Sequence, residues 1–74
     1  MEFEYEIKYS FDKETGQIVG EIPELSLADF GQSFEEAEQN IIASLKVFLE
    51  YLRDTGKPIP KGSHREGTLL KVAI

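Results

Sequence analysis

Residues 33–56 constrain this chain more than any other stretch, because they read as one long helix with both ends marked. Ser33 suits an N-cap: its hydroxyl accepts from a first-turn backbone N–H that has no partner within the helix. Glu36, three residues on, is placed to reach back to the Ser33 N–H and complete a capping box. Glu35, Glu36 and Glu38 put negative charge at the positive end of the helix dipole, and Arg53 sits at the negative end. Gly56 can take the left-handed conformation that stops a helix. Between these caps Phe34, Ala37, Ile41, Leu45, Phe48 and Leu52 follow the helical period, and Ile42 and Leu49 widen the stripe. So broad an apolar face has to be covered by a second layer.

Residues 2–11 supply one. Phe3, Tyr5, Ile7, Tyr9 and Phe11 alternate with Glu2, Glu4, Glu6, Lys8 and Ser10. This is a strand with one face on a core and the other in water. Asp12-Lys13-Glu14-Thr15-Gly16 is a turn, and residues 17–22 return as the second strand of a hairpin. Gly20 within it marks either a bulge or a close approach. Pro23-Glu24-Leu25-Ser26 is a bend, and residues 27–32 form a short third strand. Beyond the helix, Lys57-Pro58-Ile59-Pro60 is extended and residues 61–67 are a polar loop. Residues 68–74 form a last strand, with Leu70, Val72 and Ile74 on one side and Leu69 on the other. The order β-β-β-α-β predicts one α+β domain over residues 1–74. It has two layers, a small mixed sheet covered on one face by one long helix. The last strand is expected parallel to the first, at the far edge.

A domain of 74 residues buries a limited core, and one below ~70–80 residues rarely gains more than ~3–5 kcal/mol from it. The chain has no cysteine, so neither a disulfide nor a thiolate metal site supports it. Association into a homodimer or larger homo-oligomer is therefore expected. Ile42, Leu49 and Tyr51, on the flank of the helix stripe, are the candidate contacts. No apolar run approaches the ~20 residues of a membrane span. The acidic, alternating start is unlike a signal peptide, and a cytoplasmic location is expected.

Charge is unevenly placed. Residues 1–38 carry 11 acidic and two basic side chains, residues 39–74 three acidic and six basic, and the net charge is -6. Such a chain is a poor general binder of nucleic acid, because phosphate contacts need Lys and Arg. The acidic half suits either a basic partner or simple solubility. Glu2, Glu4, Glu6 and Glu21 are the candidate partner-binding residues.

Catalytic, cofactor and metal sites are not expected. Two-metal hydrolysis needs carboxylates converging on one point; Asp12 lies in the turn, Asp29 in the short strand, and the glutamates of the first strand face away from the helix. His64 is the one histidine, in a polar loop without a local cysteine or an i, i+4 partner, and reads as a surface residue. No phosphate-binding glycine loop is present. Tyr5, Tyr9 and Phe11 read as core, since a base-stacking sheet needs a basic surround.

Several of these segments together resemble the HicB-type antitoxin domain. They are the Tyr- and Ile-rich first strand, the Asp-to-Gly turn and Pro23-Glu24-Leu25. Gly31-Gln32-Ser33-Phe34-Glu35-Glu36-Ala37, the long helix and Lys57-Pro58-Ile59-Pro60 complete the set. The resemblance spans nearly the whole chain. Ser26-Leu27-Ala28-Asp29-Phe30 stands where family members commonly carry a Pro-Gly-Cys-like segment. The family's fold is a partly degraded RNase H-like fold, so the resemblance implies a partial RNase H-like sheet here. It also implies a non-catalytic member of a toxin-antitoxin system. Its partner would be a small basic HicA-like toxin, with a double-stranded-RNA-binding-like fold, that cleaves messenger RNA with a histidine. Full antitoxins often add a DNA-binding segment, and none is expected within these 74 residues. Two alternatives remain open: a stand-alone structural or regulatory oligomer with no toxin partner, and a residual RNase H-like nuclease.

Overall fold

The computed structural model describes residues 2–61 and 68–74. It is an α+β fold of two layers, a four-stranded sheet packed against one helix. In chain order the elements are β1 (Glu2–Asp12), β2 (Gln17–Ile22), a single 3-10 turn (Pro23–Leu25), β3 (Leu27–Gly31), α1 (Phe34–Asp54) and β4 (Thr68–Ala73). The strands lie in the order β3-β2-β1-β4.

The β1–β2 hairpin closes as the turn residues dictate. Asp12 accepts from the Glu14 amide at 3.1 Å and from the Thr15 hydroxyl at 2.9 Å, and Gly16 has φ +74. Tyr9 stands opposite Gly20 in unbroken register. The register leaves no bulge at Gly20. A Cβ there would lie 3.4 Å from the side chains of both Ile7 and Tyr9.

The sheet is antiparallel throughout, which corrects the expected mixed sheet. β4 runs against β1, with Thr68 opposite Ile7 and Ala73 opposite Glu2. A strand entered directly from the end of α1 would run parallel to β1. Here the chain first passes Pro60, which is held against the first half of β1 by a hydrogen bond from the Tyr5 hydroxyl to the Pro60 carbonyl at 2.6 Å. β4 then begins opposite Ile7 and runs towards the start of β1. The Lys57-Pro58-Ile59-Pro60 segment is neither helix nor strand, since prolines hold the chain out of a helix. The polar loop expected over 61–67 falls, from residue 62 on, outside the described residues, and so does His64.

Both ends of α1 are sealed. The Ser33 hydroxyl accepts from the Glu36 amide at 3.1 Å, while the Glu36 carboxylate accepts from the Gln32 amide at 3.0 Å, one residue earlier than the Ser33 amide expected. At the other end Gly56 has φ +72, the Lys57 amide bonds the Leu52 carbonyl at 2.8 Å and the Gly56 amide bonds that of Arg53 at 3.2 Å. This is a Schellman closure, which satisfies carbonyls the last turn leaves open. The start of α1 rests on the end of β3 at Gly31, where a Cβ would come within 2.5 Å of the Ala37 backbone nitrogen.

The core lies between the layers. Tyr5, Ile7, Ile22, Leu70 and Val72 of the sheet meet Ile41, Leu45 and Leu49 of the helix, with Leu25 and Ile59 closing its margins. Phe11 shares the alternating face of β1 yet is 61% exposed. It stands opposite Ile18, which stands opposite Gly31. The helix begins over β3 and leaves Phe11, two strands away, uncovered. Among the described residues no helix is long and apolar enough to cross a membrane.

Candidate interaction surfaces

The alternation of β1 places Glu2, Glu4 and Glu6 on the sheet face away from α1, and register adds Glu21 from β2 to the same face. Across the strands Glu2 faces Ala73, Glu4 faces Lys71, Glu6 faces Leu69, and Lys8 faces Glu21, which faces Ala28. A row of Ser10, Val19 and Phe30 follows, with Phe30 53% exposed. The four candidate glutamates therefore share one sheet face, with Glu2 and Glu21 exposed and Glu4 and Glu6 half-buried. Among the described residues none of the four carboxylates has a hydrogen-bond or ion-pair partner. Lys8 and Lys71 sit among them, so the face is acidic with basic interruptions. Phe30 and Leu69 give it apolar spots.

A second surface lies on the flank of α1 nearest β3. Ala43, Ser44, Val47, Phe48 and Tyr51 line an open groove of about 550 Å³. Val47 is 67% and Tyr51 52% exposed. Two hydrogen bonds fix the helix against the edge strand here: Ser44 donates to the Asp29 carboxylate at 2.7 Å, and Asn40 donates to the Phe30 carbonyl at 2.7 Å. The other Asp29 carboxylate oxygen accepts from the Phe30 amide at 2.9 Å. Side chains thus hold both the amide and the carbonyl of Phe30, on a strand that among the described residues has no neighbour on its far side. That is one way of blunting an open sheet edge.

This groove relocates the candidate oligomer contact. Tyr51 belongs to it. Leu49 does not, being fully buried in the core, and Ile42 packs half-buried against the core on the opposite flank. Helical spacing widens the stripe with Ile42 and Leu49, and the sheet covers Leu49 fully and Ile42 in part. The centre of the covered part runs through Ala37, Ile41, Leu45 and Leu49, which leaves Ala43, Val47 and Tyr51 outside. That i, i+4, i+8 series stands in the sequence and is the signal that would have found the groove.

A third feature is aromatic. The rings of Tyr9 and Phe34 meet edge to face at 5.4 Å, and the Tyr9 hydroxyl donates to Glu38 at 3.3 Å. Burial, then the Glu38 charge and its hydrogen bond, raises the Tyr9 hydroxyl above its usual pKa. Burial, then the charge of Glu24, does the same for Tyr5. These contacts anchor the start of the helix and the 57–60 segment. Among the described residues no three His, Cys, Asp or Glu side chains gather as metal ligands.

Fold and surfaces together define a two-layer α+β domain with one open carboxylate-bearing sheet face and one apolar helix groove. Comparison with protein-family models, with curated proteins and with solved structures gave no significant match.

Proposed function

We propose that this protein is a non-catalytic interaction module, a HicB-like antitoxin or antitoxin-derived domain that binds and blocks a small basic mRNA-cleaving toxin of the HicA type in the cytoplasm. The observation that carries this reading is the common orientation of Glu2, Glu4, Glu6 and Glu21 on one uncovered sheet face. Opposed charge steers encounter and fixes register, and Phe30 and Leu69 provide apolar area for contact. Inhibition would be steric: the domain covers the catalytic face of the toxin and needs no chemistry of its own. The segments from β1 to Pro60 that resemble the family supply the toxin class.

The test is co-expression with the small basic protein encoded beside this gene. Growth arrest by that protein alone, relieved when this chain is co-expressed and accompanied by co-elution of the two, is the expected result. If the neighbouring product is not a small basic protein, or if arrest persists with both proteins soluble, the antitoxin reading is wrong. A stand-alone oligomer without toxin would then be the better reading, favoured by the helix groove.

A further inference from the structure

We infer that the α1 groove is a two-fold contact between two copies of this chain, with the helices antiparallel and Val47 on the axis. Glu36, Asn40, Ala43, Val47, Tyr51 and Asp54 follow one another on a single flank of α1, at the three- and four-residue spacing that stacks side chains on one face. The Lys57 ammonium lies on this flank too, 5.0 Å above the Tyr51 ring and 3.1 Å from its hydroxyl.

An antiparallel two-fold about Val47 pairs this flank with itself in a complementary way. Val47 meets Val47. The small Ala43 meets the large Tyr51, which can enter the groove beside it. The acidic first turn with Glu36 points towards the end of the partner helix that carries Lys57. The antiparallel arrangement also sets each helix's positive end beside its partner's negative end. Matching of size and charge under one symmetry operation is what a self-complementary contact requires. It singles out a second copy over an unrelated partner. The flank is short, so the buried area falls at the low end of stable interfaces and a micromolar, concentration-dependent dimer is expected. The acidic sheet face lies on the other layer and stays open in such a dimer, so this inference stands or falls separately from the toxin reading.

The chain has no native cysteine, which makes cross-linking clean. Val47→Cys, oxidised at a concentration where the native chain dimerises, is expected to give a covalent dimer as the main product. Ala43→Cys alone is not, because its two copies would be about 12 Å apart along the axis, beyond the ~7 Å that a disulfide spans between Cα atoms. Ala43→Cys mixed with Tyr51→Cys is expected to cross-link. In sedimentation, Val47→Glu should be monomeric with an unchanged circular dichroism spectrum, and Lys57→Glu should raise the dimer Kd about tenfold. A native chain that stays monomeric up to about 1 mM overturns the inference. So does cross-linking of Ala43→Cys alone as readily as Val47→Cys, or a Val47→Glu protein that still dimerises.

Discussion

The Tyr5 hydroxyl donates to the Pro60 carbonyl at 2.6 Å, joining the first strand to the segment that links helix and last strand, 55 residues away in sequence. Tyr5 is itself fully buried, so its ring fills the core while its hydroxyl ties the 57–60 segment to β1. Tyr5→Phe keeps the ring and leaves the carbonyl without its donor. A loss of about 1–2 kcal/mol in urea unfolding is expected. No change in the midpoint would mean that water replaces the hydroxyl at no cost.

The same hydroxyl gives a pH dependence of known sign. Tyr5 and Tyr9 both titrate above their usual 10.0 in the folded protein. The unfolded chain therefore releases these protons first as pH rises. Their contribution is fully present below about pH 10 and is lost as pH rises through the folded-state values. The fall in melting temperature between pH 9 and pH 11 should be smaller in Tyr5→Phe/Tyr9→Phe than in the native chain. Lysines titrate in this range as well, and the comparison of the two proteins removes their common share. An equal or steeper fall in the double variant would contradict the assignment.

Gly31 is needed for space rather than for its backbone angle. A Cβ there would sit 2.5 Å from the Ala37 nitrogen and 2.8 Å from the Glu36 carbonyl carbon, both backbone atoms. Neither can move without lifting the start of α1 off β3. Gly31→Ala is expected to cost about 1–3 kcal/mol, or to abolish folding of so small a domain. Retained native stability in denaturant would show that the helix start has room to shift.

Leu49 and Val47, two residues apart on one helix, should respond oppositely. Leu49 is fully buried and Val47 is 67% exposed. Leu49→Ala is expected to cost about 2–5 kcal/mol, whereas Val47→Glu should leave monomer stability within about 0.5 kcal/mol. Chemical denaturation of both at low protein concentration checks this. Similar costs at the two positions would mean that the helix is rotated about its axis relative to the face described.

Much of this arrangement is legible in the sequence because local rules fix it. Strict alternation gives β1, the Asp12-to-Gly16 turn fixes the hairpin, and Ser33 and Gly56 bound the helix within a residue or two. The direction of β4 is not legible. Residues 55–67 are long enough to deliver the strand either way, and the pairing of β4 with β1 is a contact between segments far apart in sequence. The helix flank is half legible: periodicity shows that the apolar stripe is broad, but only the position of α1 over β3 decides which margin stays uncovered. Leu49 therefore went inside and Val47 outside. Alternation makes Phe11 a core residue, yet it is 61% exposed, because how far the helix reaches across the sheet is set by packing. The glutamates on the open face follow from the period of two alone, and what binds them does not.

Binding at that face is the most direct test. The native chain and a Glu4→Lys/Glu6→Lys/Glu21→Lys variant are to be titrated calorimetrically against the purified basic protein from the adjacent gene, at low and high salt. All three side chains lie on the sheet face away from α1 and outside the core, so the variant should fold. The expected result is tight binding by the native chain that weakens with salt, and a loss of at least a hundredfold in affinity for the variant. Equal affinity for both proteins, or native binding that salt leaves unchanged, would contradict an acidic docking face on this sheet.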